Sequence, residues 1–173
     1  PHPKHKDKSA LEVIFTTLHS GGKFNSKVYE TSGGLHGVGI SVVNALSEWT
    51  NVEVARDKKL WTQNFSRGKA TGKITNNGST PNRRGTKVTF LPDHEIFGIG
   101  NTTFKPSILY ELSRSKAYLF KGIEIRWQCD PSLISEKEKE TVPQKETRQT
   151  SFHCPHPGPE NRHQWLRSGR HPE

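Results

Sequence analysis

A glycine-rich segment constrains this chain most, because it places four glycines around one histidine and leads directly into an apolar stretch. Residues 30–46 read ETSGGLHGVGISVVNAL. Glycine accepts a positive φ, and its lack of a Cβ lets backbone N–H groups approach an anion. A helix that begins directly after such a turn adds unpaired N–H donors and the positive end of its dipole. The segment therefore predicts a loop that binds the phosphates of a nucleotide.

Two common phosphate-binding loops do not fit the spacing of these glycines. The Walker pattern ends in Gly-Lys-Ser/Thr, and no lysine follows the glycines at that position. The dinucleotide pattern is G-x-G-x-x-G, whereas Gly34, Gly37 and Gly39 form G-x-x-G-x-G. At Gly37 and Gly39 we expect both a positive φ and a close approach of phosphate. Taken alone, the glycines leave open a plain turn in front of an ordinary helix.

The flanking residues resemble a known family. Residues 9–24 read SALEVIFTTLHSGGKF, and Tyr29 precedes the glycine-rich segment. Together they resemble the ATPase domain of the B subunits of bacterial type IIA topoisomerases, which belong to the wider GHKL (Bergerat-fold) ATPase group. The resemblance runs from about residue 1 to about residue 134. Ile40, Ser41 and residues 129–133 favour the topoisomerase IV branch, and the gyrase branch remains the alternative because both share the matched segment.

The resemblance implies which positions contact ATP. In the family, backbone N–H groups of the phosphate loop wrap the triphosphate, and the matching residues here are Gly34, Leu35, His36, Gly37, Val38, Gly39 and Ile40. Lys23 and Tyr29 match positions that contact the nucleotide from a loop over the site. Thr86 matches a threonine whose hydroxyl helps to hold the adenine, usually through water. The alternatives are a packing role for Leu35, a solvated Lys23, and a purely β-forming Thr86.

Several functional residues of the family have no match in this sequence. The catalytic glutamate, the magnesium-binding asparagine and the aspartate that reads adenine would precede residue 1, and the lysine that reaches the γ-phosphate would follow the matched part. Glu12, Glu30 and Glu48 occupy positions with no catalytic counterpart. We therefore expect no catalytic residue and no magnesium ligand in the sequence, and no ATP hydrolysis by this chain alone.

The family also implies partners. The intact enzyme would bind ATP and Mg²⁺, and would act on DNA with the topoisomerase A subunit and a second B subunit. The net charge of +9 suits a polyanion such as ATP or DNA, and solubility is the alternative explanation. A truncated, non-catalytic nucleotide-binding module is the alternative function. No apolar run spans a membrane, no signal peptide is visible and only two cysteines occur, so the sequence predicts a cytoplasmic location without membrane partners.

Hydrophobic periodicity predicts an α+β fold, a two-layer sandwich of helices on a mixed β-sheet of the GHKL type with its N-terminal part missing. Ser9 and Glu12 form a capping-box pattern for a first helix that ends at residues 21–22. The other predicted elements are a loop at 23–36, helices at 37–47 and from Pro106 to Gly122, and strands at 51–55, 59–65, 70–75, 86–90 and 123–129, with turns that include 76–78.

The sequence divides into two parts of different composition. Residues 1–135 form the predicted partial ATPase domain. Residues 136–173 contain only five apolar residues and five prolines without periodicity, which predicts a disordered tail. A frameshifted or truncated gene product would have such a tail, and a natural insert is the alternative.

Overall fold

The computed structural model describes residues 7–20, 36–120, 123–139, 141–142 and 150–153. The chain forms two compact units, residues 1–102 and 103–173. The first unit contains α1 (Ala10–Thr16), α2 (Gly39–Ala45), β1 (Ser47–Arg56), β2 (Lys59–Ser66), β3 (Lys69–Ala70), β4 (Thr75–Ser79), β5 (Gly85–Pro92) and α3 (His94–Phe97). The second contains α4 (Pro106–Leu119), β6 (Glu124–Trp127), two short 3-10 helices (Pro131–Leu133 and Glu136–Glu138) and β7 (Thr150–His153).

The first helix begins where the sequence predicts and ends earlier. The Ser9 hydroxyl accepts a hydrogen bond from the backbone N–H of Glu12 at 2.9 Å, as expected for an N-cap. The predicted end at residues 21–22 is wrong, because Thr17 is already extended. The Ser20 hydroxyl then donates to the carbonyls of Val13 and Thr17 at 3.1 and 2.7 Å, which satisfies carbonyls at the helix end.

The sheet of the first unit has the order β3-β2-β1-β5, and β4 also pairs with β2. Every pairing among the described strands is antiparallel. One face packs against α1 and α2 through a cluster of Phe15, Val52 and Phe65, in which the two phenylalanine rings stack at 5.2 Å. The middle of the opposite face is polar, as the Asn51 to Asn64 hydrogen bond of 2.7 Å illustrates. This alternation confirms the α+β class.

The middle of the sheet differs from the predicted strands. Residues 71–74 separate β3 from β4, and residues 76–78, predicted as a turn, lie inside β4. This strand keeps a local bend, because Gly78 has φ +99° and donates its N–H to the Asn76 side chain at 3.0 Å. β4 pairs with β2, and the register of this pairing is irregular between Lys59 and Trp61. The irregularity accommodates the bend within the sheet.

The second unit has its own core. Pro106 opens α4, as predicted. The Tyr110 ring meets Trp127 and Phe152 edge to face, each at 5.3 Å between ring centroids. Ala117, Ile134 and Val142 complete the buried centre of this cluster.

The predicted disorder of residues 136–173 is wrong for part of that segment. Residues 136–138 form a 3-10 helix, and β7 pairs antiparallel with β6. Val142 and Phe152 are buried because α4 and β6 supply the apolar surface that their own neighbours in sequence lack. Residues 140, 143–149 and 154–173 lie outside the described residues, so disorder there stays a prediction.

Candidate nucleotide-binding site

The glycine turn in front of α2 has part of the geometry that its sequence predicts. Gly37 has φ +62°, Val38 is the N-cap residue, and α2 begins at Gly39. The Ser41 hydroxyl donates to the Val38 carbonyl at 2.9 Å, so it does not cap the N–H groups of the first turn. That turn contains no acidic residue. Its N–H groups and the positive end of the short helix can therefore receive an anion.

Gly37 and Gly39 serve different purposes. A positive φ is required at Gly37, so the expectation holds there. At Gly39 the expected positive φ is wrong, since this residue is the first of α2 with helical backbone. Among the residues that the structure describes, no atom lies within 4 Å of a Cβ built on Gly39. The fold itself therefore does not need glycine at this position, and the space in front of it is open to a ligand.

Contacts with the sheet and with α1 anchor α2. Ile40 packs against the cluster of Phe15, Val52 and Phe65. Asn44 is fully buried and donates its side-chain N–H to the Phe15 carbonyl at 2.9 Å. In contrast, His36 and Gly39 are exposed. The helix is thus held from its sheet side, and the turn that precedes it faces solvent.

Thr86 lies on the same face of the sheet as α2. It stands opposite Val54 in the β1–β5 register, and Val54 and Val88 pack against the same cluster as Ile40. Alternate residues of a strand share a face, so the Thr86 side chain points to the side that the helices cover. The structure therefore places Thr86 on the face of the sheet that also carries α2, although the two are far apart in sequence.

A cleft of about 700 Å³ adjoins Thr86. It lies between the β1–β2 turn and the segment before β5, and its charged lining residues are Arg56, Asp57, Lys58, Arg83 and Arg84. The Arg83 guanidinium is 2.6 Å from Glu53, and this hydrogen bond is the main reason that the pKa of the Glu53 carboxyl is lowered. The cleft is positive on balance and favours an anionic ligand. The sequence did not lead us to expect this cleft. The usable signal was the basic residues around the β1–β2 turn and just before β5.

The remaining predicted contact residues are Lys23, Tyr29, Gly34 and Leu35. They lie outside the described residues, and their roles stay predictions. Within the described ranges, no group of three or more His, Cys, Asp or Glu side chains could hold a metal ion. Among those same residues, no helix is long and apolar enough to cross a membrane.

Comparisons with known proteins identify relatives among the topoisomerase B subunits. No protein-family model matches the chain. The B subunit of DNA topoisomerase 4 from Bartonella bacilliformis is 57% identical over 145 residues, which are 84% of this chain and 20% of that protein. Its counterpart from Caulobacter vibrioides is 56% identical over 155 residues, 90% of this chain and 21% of that protein. The chain thus spans about a fifth of the length of the relatives it matches.

A solved structure agrees with these relatives. The chain resembles the 43K ATPase domain of Thermus thermophilus gyrase B, determined in complex with an aminocoumarin, with a TM-score of 0.58 and 44% identity. The match covers 73% of this chain and 30% of that one. Sequence and fold therefore agree, and the chain belongs to the ATPase-domain family of the type IIA topoisomerase B subunits.

Proposed function

We propose that this chain is the ATP-binding part of a type IIA DNA topoisomerase of the topoisomerase IV kind, which couples ATP binding and hydrolysis to DNA strand passage. The extent of the sequence match carries the proposal. The match covers 145 of the 173 residues, so at most 28 residues lie outside it at either end. Wherever the match begins, it includes residues 29–145. It therefore contains both the glycine turn and Thr86.

The geometry of the described residues supports nucleotide binding. Backbone N–H groups of residues 37–40 bind the phosphates, and the open space at Gly39 lets them approach. His36 precedes these donors, Val38 is one of them, and Ile40 also holds their helix on the sheet. The Thr86 hydroxyl contacts the base, directly or through water. Lys23, Tyr29, Gly34 and Leu35 add contacts from the segment before the turn.

Hydrolysis requires groups that we place outside this sequence. Mg²⁺ accompanies ATP and neutralises phosphate charge, and its protein ligand and the catalytic base come from other parts of the enzyme. DNA, the A subunit and a second B subunit are the proposed partners of the intact enzyme, in the cytoplasm. In this arrangement the chain binds and orients the nucleotide and does not itself activate water.

The gyrase branch of the family supplies the second candidate. Its support is the 44% identity to the Thermus thermophilus gyrase B domain. The identities of 57% and 56% to topoisomerase IV proteins favour the first candidate. A truncated nucleotide-binding module would show the same binding chemistry without a role in strand passage.

The test compares two glycine-to-alanine changes in residues 1–173. Gly39 belongs to the proposed site, whereas Gly72 is not one of its proposed contact residues. At either position a Cβ meets no atom of the described part of the chain within 4 Å. Neither residue has a positive φ, so both variants should fold like the parent chain. Calorimetric titration with a non-hydrolysable ATP analogue should find binding lost only in Gly39→Ala. Equal affinity in both variants would remove the phosphate loop from the proposal.

A further inference from the structure

A side-chain contact joins the end of α1 to the glycine turn. The His19 Nδ1 atom lies 2.8 Å from the backbone carbonyl oxygen of His36, 17 residues later in the sequence. A carbonyl oxygen can only accept, so Nδ1 is the donor and carries the ring proton. We propose that His19 is a positioning residue that aims the N–H of Gly37 at the nucleotide. This inference rests on the proposed function.

The hydrogen bond acts on the peptide group that contributes a phosphate-binding donor. The His36 carbonyl and the Gly37 N–H belong to the same planar peptide, and they point in opposite directions. Holding the carbonyl toward His19 therefore directs the N–H away from it. Gly37 has φ +62°, a conformation in which the orientation of this peptide is not set by helix hydrogen bonds. A contact from outside the turn is then needed to select one orientation.

His19 is presented from a well-anchored segment. Thr17 donates its N–H to the Val13 carbonyl at 2.9 Å, and the Ser20 hydroxyl donates to the same carbonyl at 3.1 Å. Val13 is buried in the core. His19 itself has φ +57°, a region that non-glycine residues seldom occupy, although histidine and asparagine are enriched there. The imidazole therefore projects from a fixed point.

The contact is not needed to join the two helices. Asn44 already ties α2 to the Phe15 carbonyl of α1, at 2.9 Å and in a fully buried position. The His19 hydrogen bond is exposed, in contrast. An exposed bond beside a buried one adds little to stability, so its main effect is on the orientation of the turn.

Two substitutions separate the hydrogen bond from the backbone conformation. His19→Gly accepts the positive φ and removes the donor. His19→Asn also tolerates the positive φ and carries an amide nitrogen on Cγ, in the place of Nδ1. In residues 1–173, His19→Gly should raise the Kd for a non-hydrolysable ATP analogue about two- to tenfold, the range of one net hydrogen bond. His19→Asn should restore it.

Two further readouts distinguish positioning from a structural role. The thermal midpoint should be the same in all three proteins, and the amide resonance of Gly37 should shift in His19→Gly and return in His19→Asn. Wild-type affinity in His19→Gly, while Gly39→Ala has lost binding, would refute the role of His19 and leave the proposed function intact. A loss of affinity matched by a fall of the thermal midpoint would also refute positioning. If the wild-type chain does not bind the analogue, the proposed function itself fails.

Discussion

Phe152→Ala tests the packing of the second unit, where structure and sequence-based prediction differ. Phe152 comes from β7 and is 2% exposed. Its ring meets Tyr110 edge to face, with 5.3 Å between centroids and 76° between planes. A substitution that removes this ring leaves a cavity beside the other buried members of the cluster.

The magnitude follows from the buried area. A phenylalanine buries about 150–250 Å². At about 25 cal/mol per Å² this amounts to roughly 4–6 kcal/mol, an upper bound because the unfolded chain is partly compact. Measured Phe→Ala changes in protein cores cost about 3–5 kcal/mol, and we expect this range here. Such a loss is comparable to the whole stability of a small domain.

Native-state hydrogen exchange of the β6 amides is the assay, because β6 pairs with β7. The hydrogen-exchange protection of residues 124–127 should fall by about two to three orders of magnitude, because a loss of about 1.4 kcal/mol in opening free energy lowers protection tenfold. Phe97→Ala is the matched control, since that ring is 41% exposed. Its cost should stay near or below about 1 kcal/mol. An equally small effect of Phe152→Ala would refute the packing of β7 and support a disordered tail.

Two other predictions concern acid stability and hydrolysis. Hydrogen bonds lower the pKa of the Glu138 carboxyl from 4.5 to about 2, and the bond from Ser107 has a larger effect than the bond from Ser135. The carboxylate therefore stabilises the fold above about pH 4.5, and this stabilisation is lost as the pH falls toward 2. Glu138→Gln should therefore lower the urea midpoint of unfolding at neutral pH, and the difference in midpoint between this variant and the wild type should shrink below pH 4.5. A difference in midpoint that does not change with pH would contradict the role of the carboxylate. Residues 1–173 should bind ATP without releasing phosphate, even with Mg²⁺ and DNA; turnover that disappears in Gly39→Ala would reveal a catalytic base that we have not identified.

The sequence by itself determined the features that depend on neighbouring residues. The capping pair of Ser9 and Glu12 specified the start of α1, and Pro106 specified the start of α4. The positive φ of Gly37 followed from a glycine turn before an apolar helix. Each of these features depends on interactions within about one helical turn, so the local sequence pattern predicts it. The family could also be recognised, because its motif lies in one continuous segment.

Tertiary structure alone decided the features that join distant segments. β6 and β7 pair across more than twenty intervening residues, and Phe152 is buried only because that pairing brings it to Tyr110. Thr86 shares a face with α2, and His19 reaches His36, for the same reason. Such contacts depend on strand register and on loop closure, whose free energies are summed over the whole fold. No local pattern reports them, because a residue's own neighbours do not reveal which distant surface it will meet.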